Sequence, residues 1–219
     1  MVSEMCIRDS YEHMDDFSYG PQYKNKRHDK DVMNIYLGRS RDGASWDLSS
    51  VYAEKPLIER GGEGAFDNGI AIAASSIVTH DNKHWIYYSG WNERHGNADE
   101  PRERDAAIGL ATMRLEGFYS LQAKERKGTM TTRAFVLGGD EIQINVKAVA
   151  GEVTAEILDA RGKTIPEFSG ENAASLIEVD DVRAVLKWPQ SLARLNGSVI
   201  KLKLTMKNAH VYAMKVNKS

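Results

Sequence analysis

The sequence predicts an all-β protein, a partial β-propeller of one to two blades followed by an antiparallel β-sandwich. Short segments rich in β-branched and aromatic residues alternate with Gly, Asn and Asp turn signals along most of the chain. Four such segments fall within roughly fifty residues, as they do in one propeller blade. From residue 128 onwards six more segments follow, separated by turn signals roughly every 8 to 12 residues, as is typical of a sandwich.

The pattern divides the chain into three parts. Residues 1–10, MVSEMCIRDS, have no periodicity and look like a translated library adaptor, so they are interpreted as a non-native leader. The only cysteine, Cys6, lies in this leader, which argues against a disulfide framework and a catalytic thiol. Residues 11–127 are assigned to the partial propeller and residues 128–219 to the sandwich.

The propeller assignment depends on a series of strand-like segments. DVMNIYLGRS, from Asp31, is followed by an Asp-Gly turn and a Trp that can pack back. One blade is expected over about 66–121, with the strands AFDNGIAIAASSIV, HWIYYSGW, AAIGLATMRL and GFYSL. In the second of these, Trp85, Tyr87 and Trp91 are predicted to share one face, because alternate residues of a strand point the same way.

Composition excludes several classes of function. The chain is 42% hydrophobic and 27% charged, with a formal net charge of -2, so it lacks the basic excess that would attract nucleic acid or an anionic membrane. No apolar run approaches the ~20 residues that span a bilayer. His80 and His84 are four residues apart across a hairpin, a spacing that does not make them converge. The sequence therefore predicts no metal, no cofactor, no nucleic acid partner and no membrane partner.

Antiparallel pairing predicts a polar and aromatic cluster at one rim of the blade. The first strand begins near Asp67 and the second strand ends near Trp91, so the two ends should lie together. Asn92, Glu93 and His95 follow directly in the chain. We therefore expect Asp67, Trp91 and His95 to share one pocket.

The quoted segments also carry a family resemblance. DVMNIYLGRSRDGASW, PLIERGGEGAFDNGIAIAASSIV, HWIYYSGWNERHG and IGLATMRLEGFYSL, in this order and with a sandwich after them, resemble the last part of invertase-like and arabinanase-like glycoside hydrolases. The resemblance covers roughly residues 31 to 216. It implies a five-bladed propeller with carboxylates in a central funnel, one of them an Asp from an early blade. For the parent protein it implies a secreted or periplasmic bacterial location.

The rim residues suit a sugar. An aromatic ring stacks on C–H groups, and Asn, His and carboxylate side chains pair with hydroxyl groups. Glycoside hydrolysis requires two carboxylates on either side of the scissile bond. On this interpretation Asp67 is the catalytic candidate, and the substrate-binding candidates are Glu63, Trp91, Asn92 and His95.

Each candidate has a structural alternative. Asp67 precedes Asn and Gly, a pattern that also caps turns. Trp91 and His95 would equally serve packing at a strand end, and Glu63, in the loop RGGEG, would equally be an exposed loop acid. The candidates are thus open to both interpretations.

Three functions compete at this point. The first is a glycoside hydrolase-like, carbohydrate-active protein, represented by a fragment that lacks the early catalytic blades and is inactive alone. The second is a non-catalytic carbohydrate-binding or adhesion module. The third is a purely structural β-module, which would be favoured if the rim were filled by its own side chains. Uncovered blade faces should in addition promote self-association.

Overall fold

The computed structural model describes residues 32–93 and 105–218, which divide between Thr112 and Met113 into two compact units. The division falls before the boundary at residue 127 that the sequence suggested. The reason is that β-structure of the second unit begins earlier than the expected sandwich. Within the described residues no helix is long and apolar enough to cross a membrane.

The first unit contains short strands and a single turn of α-helix. Its elements are β1 (Arg39–Ser40), β2 (Trp46–Asp47), α1 (Ser49–Tyr52), β3 (Ile70–Ala73), β4 (Val78–His80), β5 (Lys83–Trp91) and β6 (Ala106–Arg114), which runs across the unit boundary. β1 and β2 form a separate two-stranded sheet, whereas β3, β4 and β6 all pair with β5.

The strands β3 and β4 lie end to end along β5. The β3 ladder runs from Ile70 opposite Trp91 to Ala73 opposite Tyr88, and the β4 ladder continues from Val78 opposite Trp85. An irregular stretch at residues 74–77 separates them. The sheet is thus an antiparallel meander in which β3 and β4 act as one interrupted strand. The expected fourth blade strand, GFYSL, does not join it.

The second unit is built on long strands. Its elements are β7 (Leu121–Ala123), β8 (Gly128–Thr131), β9 (Phe135–Val136), β10 (Glu141–Asp159), β11 (Ala174–Val185), β12 (Val199–Lys207) and β13 (Ala209–Asn217), with 3₁₀ turns at Pro166–Phe168, Gly170–Asn172 and Leu192–Leu195. β7 pairs with β13, so the end of the GFYSL segment belongs to this sheet.

The strand β10 organises the core of the second unit. Its first half pairs with β13 and its second half with β12, while β11 pairs along both halves. The buried apolar positions are even-numbered from Ile142 to Ala148 and odd-numbered from Val153 to Ile157. This change of parity coincides with a register shift between Ala148 and Glu152, because extra residues at a bulge reverse the direction of the side chains.

The predicted all-β class and the antiparallel pairing are confirmed. The second unit forms one seven-stranded sheet that is nearly closed in the manner of a barrel. A division into two facing sheets remains a prediction, because the ladders join all seven strands and β10 pairs with three of them.

Candidate functional site

The two strand ends at the expected rim do meet. Ile70, at the start of β3, is paired with Trp91, at the end of β5, and the Gly69 amide donates to the Trp91 carbonyl oxygen at 2.9 Å. The backbone geometry on which the site hypothesis depends is therefore present. What the side chains do at this rim decides which hypothesis it favours.

Asp67 is buried, with 5% of its surface exposed. The Tyr88 hydroxyl donates to Oδ2 at 2.8 Å, and the Gly61 amide donates to Oδ1 at 3.2 Å. An Asx turn would use the Gly69 amide, which donates to Trp91 instead. Asp67 is thus neither a simple turn cap nor an open carboxylate: each of its oxygens accepts a hydrogen bond from the protein.

Glycine residues allow the chain to close tightly around this carboxylate. A Cβ atom at Gly61 would lie 2.3 Å from Asp67 Oδ1, and a Cβ atom at Gly90 would lie 2.5 Å from both Asp67 Cβ and Phe66 Cε2. Any larger residue at either position would displace the Asp67 side chain or its neighbour. The Phe66 ring stacks on Tyr88, with 6.2 Å between ring centroids. Aromatic side chains and backbone therefore fill the space around Asp67.

Tyr88 is held in its neutral form by this arrangement. Burial is the main cause that raises the pKa of Tyr88 to about 12, and the hydrogen bond to Asp67 and the charge of its carboxylate raise it further. The ring of Tyr88 lies directly over Gly109 of β6, where a Cβ atom would lie 2.2 Å from Tyr88 Cζ. Close packing of the Tyr88 ring of β5 on β6 therefore restricts the position of the Asp67–Tyr88 pair.

Trp91 does not join Asp67 in one pocket, and that part of the site prediction is wrong. Tyr88 and Gly90 face Asp67, and alternate residues of a strand point to opposite sides of the sheet. Trp91 is therefore directed to the opposite face. Antiparallel pairing brings the two strand ends together as expected, but the alternation of side chains along β5 turns Trp91 away from Asp67.

The remaining candidates are dispersed. Asn92 links the two ends of the β5–β6 connection. Its side-chain Oδ1 accepts from the Asp105 backbone amide at 3.0 Å, and its backbone amide donates to the Asp105 carbonyl oxygen at 3.1 Å. Glu63 is exposed in a turn. His95 lies outside the described residues. Asp67 is buried and Glu63 is exposed on the surface. These two carboxylates therefore do not face each other across a space that could hold a glycosidic bond.

The two hairpin histidines do not converge on a metal. His80 pairs with Lys83 in the β4–β5 ladder, so His84, the next residue of β5, points to the other face. His84 Nδ1 lies 2.9 Å from the Thr79 hydroxyl, and His80 Nε2 lies 3.1 Å from Asp81 Oδ2. In the part of the chain that the structure describes, no group of three or more His, Cys, Asp or Glu side chains could hold a metal ion.

An open cleft of about 400 Å³ lies on the other side of Gly61. It is lined by Asn34, Tyr36, Glu54, Pro56, Glu59, Arg60, Gly61, Gly62 and Asn68. The Arg60 amide donates to Asn34 Oδ1 at 3.2 Å, and Asn68 Nδ2 donates to the Gly61 carbonyl oxygen at 3.2 Å. Gly61 therefore separates the enclosed Asp67 from a cleft that solvent can enter.

Sequence reasoning missed Tyr88 and the cleft residues. Glycines in the segments RGGEG, YSGW and AAIGL were the available signal for close packing, because Gly61, Gly90 and Gly109 each sit against Asp67 or Tyr88. No comparable signal marks Asn34, since an Asn in a run of buried residues looks like a strand interruption. The cleft depends on the long-range pairing of Asn34 with Arg60.

Comparison of the chain with family models, with curated proteins and with solved structures found no match.

Proposed function

We propose that this chain is carbohydrate-active, similar in its motifs to glycoside hydrolases, and that it binds sugars without hydrolysing them. This proposal combines two expectations from the sequence: the carbohydrate ligand that the family resemblance implies, and the alternative of a non-catalytic binding module. The proposal assigns binding to the cleft beside Gly61 and a structural role to Asp67.

The enclosure of Asp67 is the observation that carries the non-catalytic part. A nucleophile or general base must face the sugar, and a general acid must reach the leaving oxygen. Asp67 is 5% exposed, and its two oxygens accept hydrogen bonds from Tyr88 and Gly61. Attack on a sugar would require both bonds to break and the packed Phe66 and Tyr88 rings to move.

The cleft supports the binding part. Ligand sites are concave and hold a few placed polar groups that orient the ligand. The surface that lines this cleft is mainly polar, and Asn34, Glu59 and Asn68 contribute groups that can pair with hydroxyls. The cleft lies next to the segment RGGEGAFDNG, which is part of the motif series that resembles glycoside hydrolases.

Ligand-observed saturation-transfer NMR tests the proposal with oligosaccharides of arabinan, levan, inulin and xylan. We expect saturation transfer from the protein to at least one of these sugars and no new anomeric signals on prolonged incubation. An absence of transfer to every sugar would overturn the carbohydrate assignment. New anomeric signals that disappear in Asp67→Asn would instead make the chain a hydrolase.

A further inference from the structure

The base of the cleft is formed by a buried asparagine on an extended segment. Asn34 is 7% exposed and lies two residues before Tyr36, so both side chains point to the same side of the segment. Arg60 crosses the base, where its backbone amide donates to Asn34 Oδ1 and its Nη1 donates to the Asn68 carbonyl oxygen. The base is therefore a connected polar surface and not a loose collection of side chains.

The side-chain amide of Asn34 has an unused donor. The Arg60 N–H requires an oxygen at the position of Oδ1, and this requirement fixes Nδ2 as the other atom. Within residues 32–93 and 105–218, that Nδ2 group donates to no acceptor. The Nδ2 group is accessible from the cleft, so an acceptor that enters the cleft can replace water as its partner.

The edge of the cleft carries hydrogen-bond acceptors, whereas the base offers a donor. Glu59 and Glu54 line this edge, and both are exposed. The cleft thus offers a neutral donor at its base and carboxylate acceptors at its edge.

The geometry points to a neutral polyhydroxylated ligand, bound through a pair of neighbouring hydroxyl groups, one on Asn34 Nδ2 and one on the Glu59 carboxylate. A hydroxyl group both accepts and donates, so it can pair with each of these groups. An anion would satisfy Asn34, but the cleft carries two carboxylates, Glu54 and Glu59, against the single guanidinium of Arg60. A cation would suit the edge but would leave the Asn34 donor without an acceptor, close to the charge of Arg60.

This inference rests on the proposed function for the choice of a sugar as the polyol, whereas the match between the cleft and hydroxyl groups stands on the geometry alone. A volume of about 400 Å³ lies towards the small end of the range for ligand pockets. We therefore expect the cleft to take one or two sugar rings, with the rest of any longer chain outside it.

The experiment is a titration of the ¹⁵N-labelled full chain, followed through the side-chain amide signals of Asn34. The probes are L-arabinose, D-fructose, D-xylose and myo-inositol, with sodium acetate as the anion and ethylammonium chloride as the cation. We expect the neutral polyols, and neither ion, to shift the Asn34 signals in a saturable way. Shifts by an ion alone would overturn the assignment.

Asn34→Asp is the decisive variant. It keeps the oxygen that accepts from the Arg60 backbone amide and replaces the free donor with an acceptor, and thermal unfolding of the variant verifies that it is folded. We expect affinity for the polyol to fall by about tenfold, because the donor is lost and a second acceptor faces the hydroxyl. Asn82→Asp, the same change at an exposed hairpin turn, is the matched control and should bind as the unmodified chain does.

Failure of this inference can be told apart from failure of the proposed function. If oligosaccharides receive saturation but Asn34→Asp binds them unchanged, the cleft assignment is overturned while carbohydrate binding stands. If no sugar binds but myo-inositol shifts the Asn34 signals, the hydroxyl assignment is supported and the carbohydrate function fails. If no polyol shifts these signals, the cleft assignment is overturned.

Discussion

At the scale of single residues, the Asp67–Tyr88 hydrogen bond joins the segment before β3 to β5. A carboxylate that is 5% exposed is stable only when donors replace its hydration, and Tyr88 and Gly61 supply them. The glycines at 90 and 109 allow this by removing the side chains that would occupy the same space. The Asp67–Tyr88 pair thus explains why glycine is found at positions 61, 90 and 109 and tyrosine at position 88.

Substitution of Tyr88 by Phe should destabilise the protein by about 1–3 kcal/mol, because Asp67 Oδ2 loses its donor while it stays buried. The raised pKa of Tyr88 gives this bond a pH dependence. Its stabilisation is complete below the ordinary tyrosine pKa of about 10 and is lost as pH rises through about 12. Absorbance titration should show a tyrosine that ionises near pH 12 in the unmodified chain and not in Tyr88→Phe. Titration of every tyrosine near 10 would contradict the pairing.

At the scale of elements, the β1–β2 hairpin depends on aspartates that are bound by backbone amides. The Ser49 amide is the main cause that lowers the pKa of Asp47 to about 2, and Arg39 contributes a hydrogen bond. The amides of Ser45 and Ala44 hold the pKa of Asp42 far below its usual range. These contacts fix the turn of the SRDGASW segment.

The hairpin should therefore loosen only in strong acid. A lowered folded-state pKa means that the contribution of Asp47 is present above the unfolded value of about 3.9 and is lost as pH falls through about 2. The Ser49 amide chemical shift should follow this transition in NMR spectra, and Asp47→Asn should abolish it. A midpoint near 4 would show that the hydrogen bond does not form in solution.

In the second unit, Arg114 at the end of β6 is anchored to three other strands. Its Nε donates to Asn145 Oδ1 at 2.9 Å, its Nη1 lies 2.6 Å from Asp180 Oδ1, and its guanidinium lies 4.7 Å from the centroid of the Tyr212 ring. Asn145 is 3% exposed and donates in turn to the Leu115 carbonyl oxygen. One side chain thus satisfies a buried amide and fixes the entry of the chain into this unit.

Arg114→Ala should lower the free energy of unfolding by about 2–3 kcal/mol, mainly because Asn145 Oδ1 is left without its donor. Arg114→Lys should recover little, since an ammonium group cannot reproduce the fork of donors. Urea unfolding followed by fluorescence measures both changes. Arg194→Ala, which removes an exposed arginine bonded only to Gln190 among the described residues, is the control and should change stability by less than about 0.5 kcal/mol. Equal effects of the two alanine variants would refute the anchor.

The class of each element was predictable from the sequence, whereas its partners were only partly so. The alternation of residue types from Trp85 to Trp91 correctly predicted a strand, because the direction of each side chain along a strand depends only on neighbouring residues. Leu121 was expected to end a fourth blade strand, but β7 pairs with β13 almost ninety residues later, and no local pattern encodes such a pairing. The same limit explains Asp67: its residue type suggested chemistry, but its burial depends on Gly90 and Tyr88, which approach through the register of β3 with β5.

At the scale of the whole molecule, one face of the first unit's sheet is apolar and open. Ile72 pairs with Ser89 and Val78 pairs with Trp85, so both side chains share a face with Tyr87. Gly109 of β6 lies under Tyr88 on the other face, so its neighbours Ile108 and Leu110 belong to the same face as Tyr87. Ile108 is 78% exposed. With strands about 4.8 Å apart and about 3.3 Å per residue, three strands over the five residues from Trp85 to Ser89 give a face of about 240 Å².

We propose that this face mediates self-association, as uncovered blade faces were expected to do. Sedimentation velocity should show a concentration-dependent increase of the sedimentation coefficient, and Ile108→Asp should abolish it by placing a charge in the apolar contact. Ile177→Asp, a matched change at an exposed isoleucine of the second unit, should leave association intact. A monomer at every concentration would contradict this role of the face.

The most direct test of the account compares glycoside turnover by the unmodified chain and by Asp67→Asn. A panel of aryl glycosides, fructans and arabinans would be assayed, with thermal unfolding measured on the same samples. If Asp67 is an enclosed structural carboxylate, both proteins hydrolyse every substrate at the rate of buffer alone, and Asp67→Asn unfolds at a lower temperature. Turnover by the unmodified chain that Asp67→Asn abolishes, with no loss of thermal stability, would contradict the account.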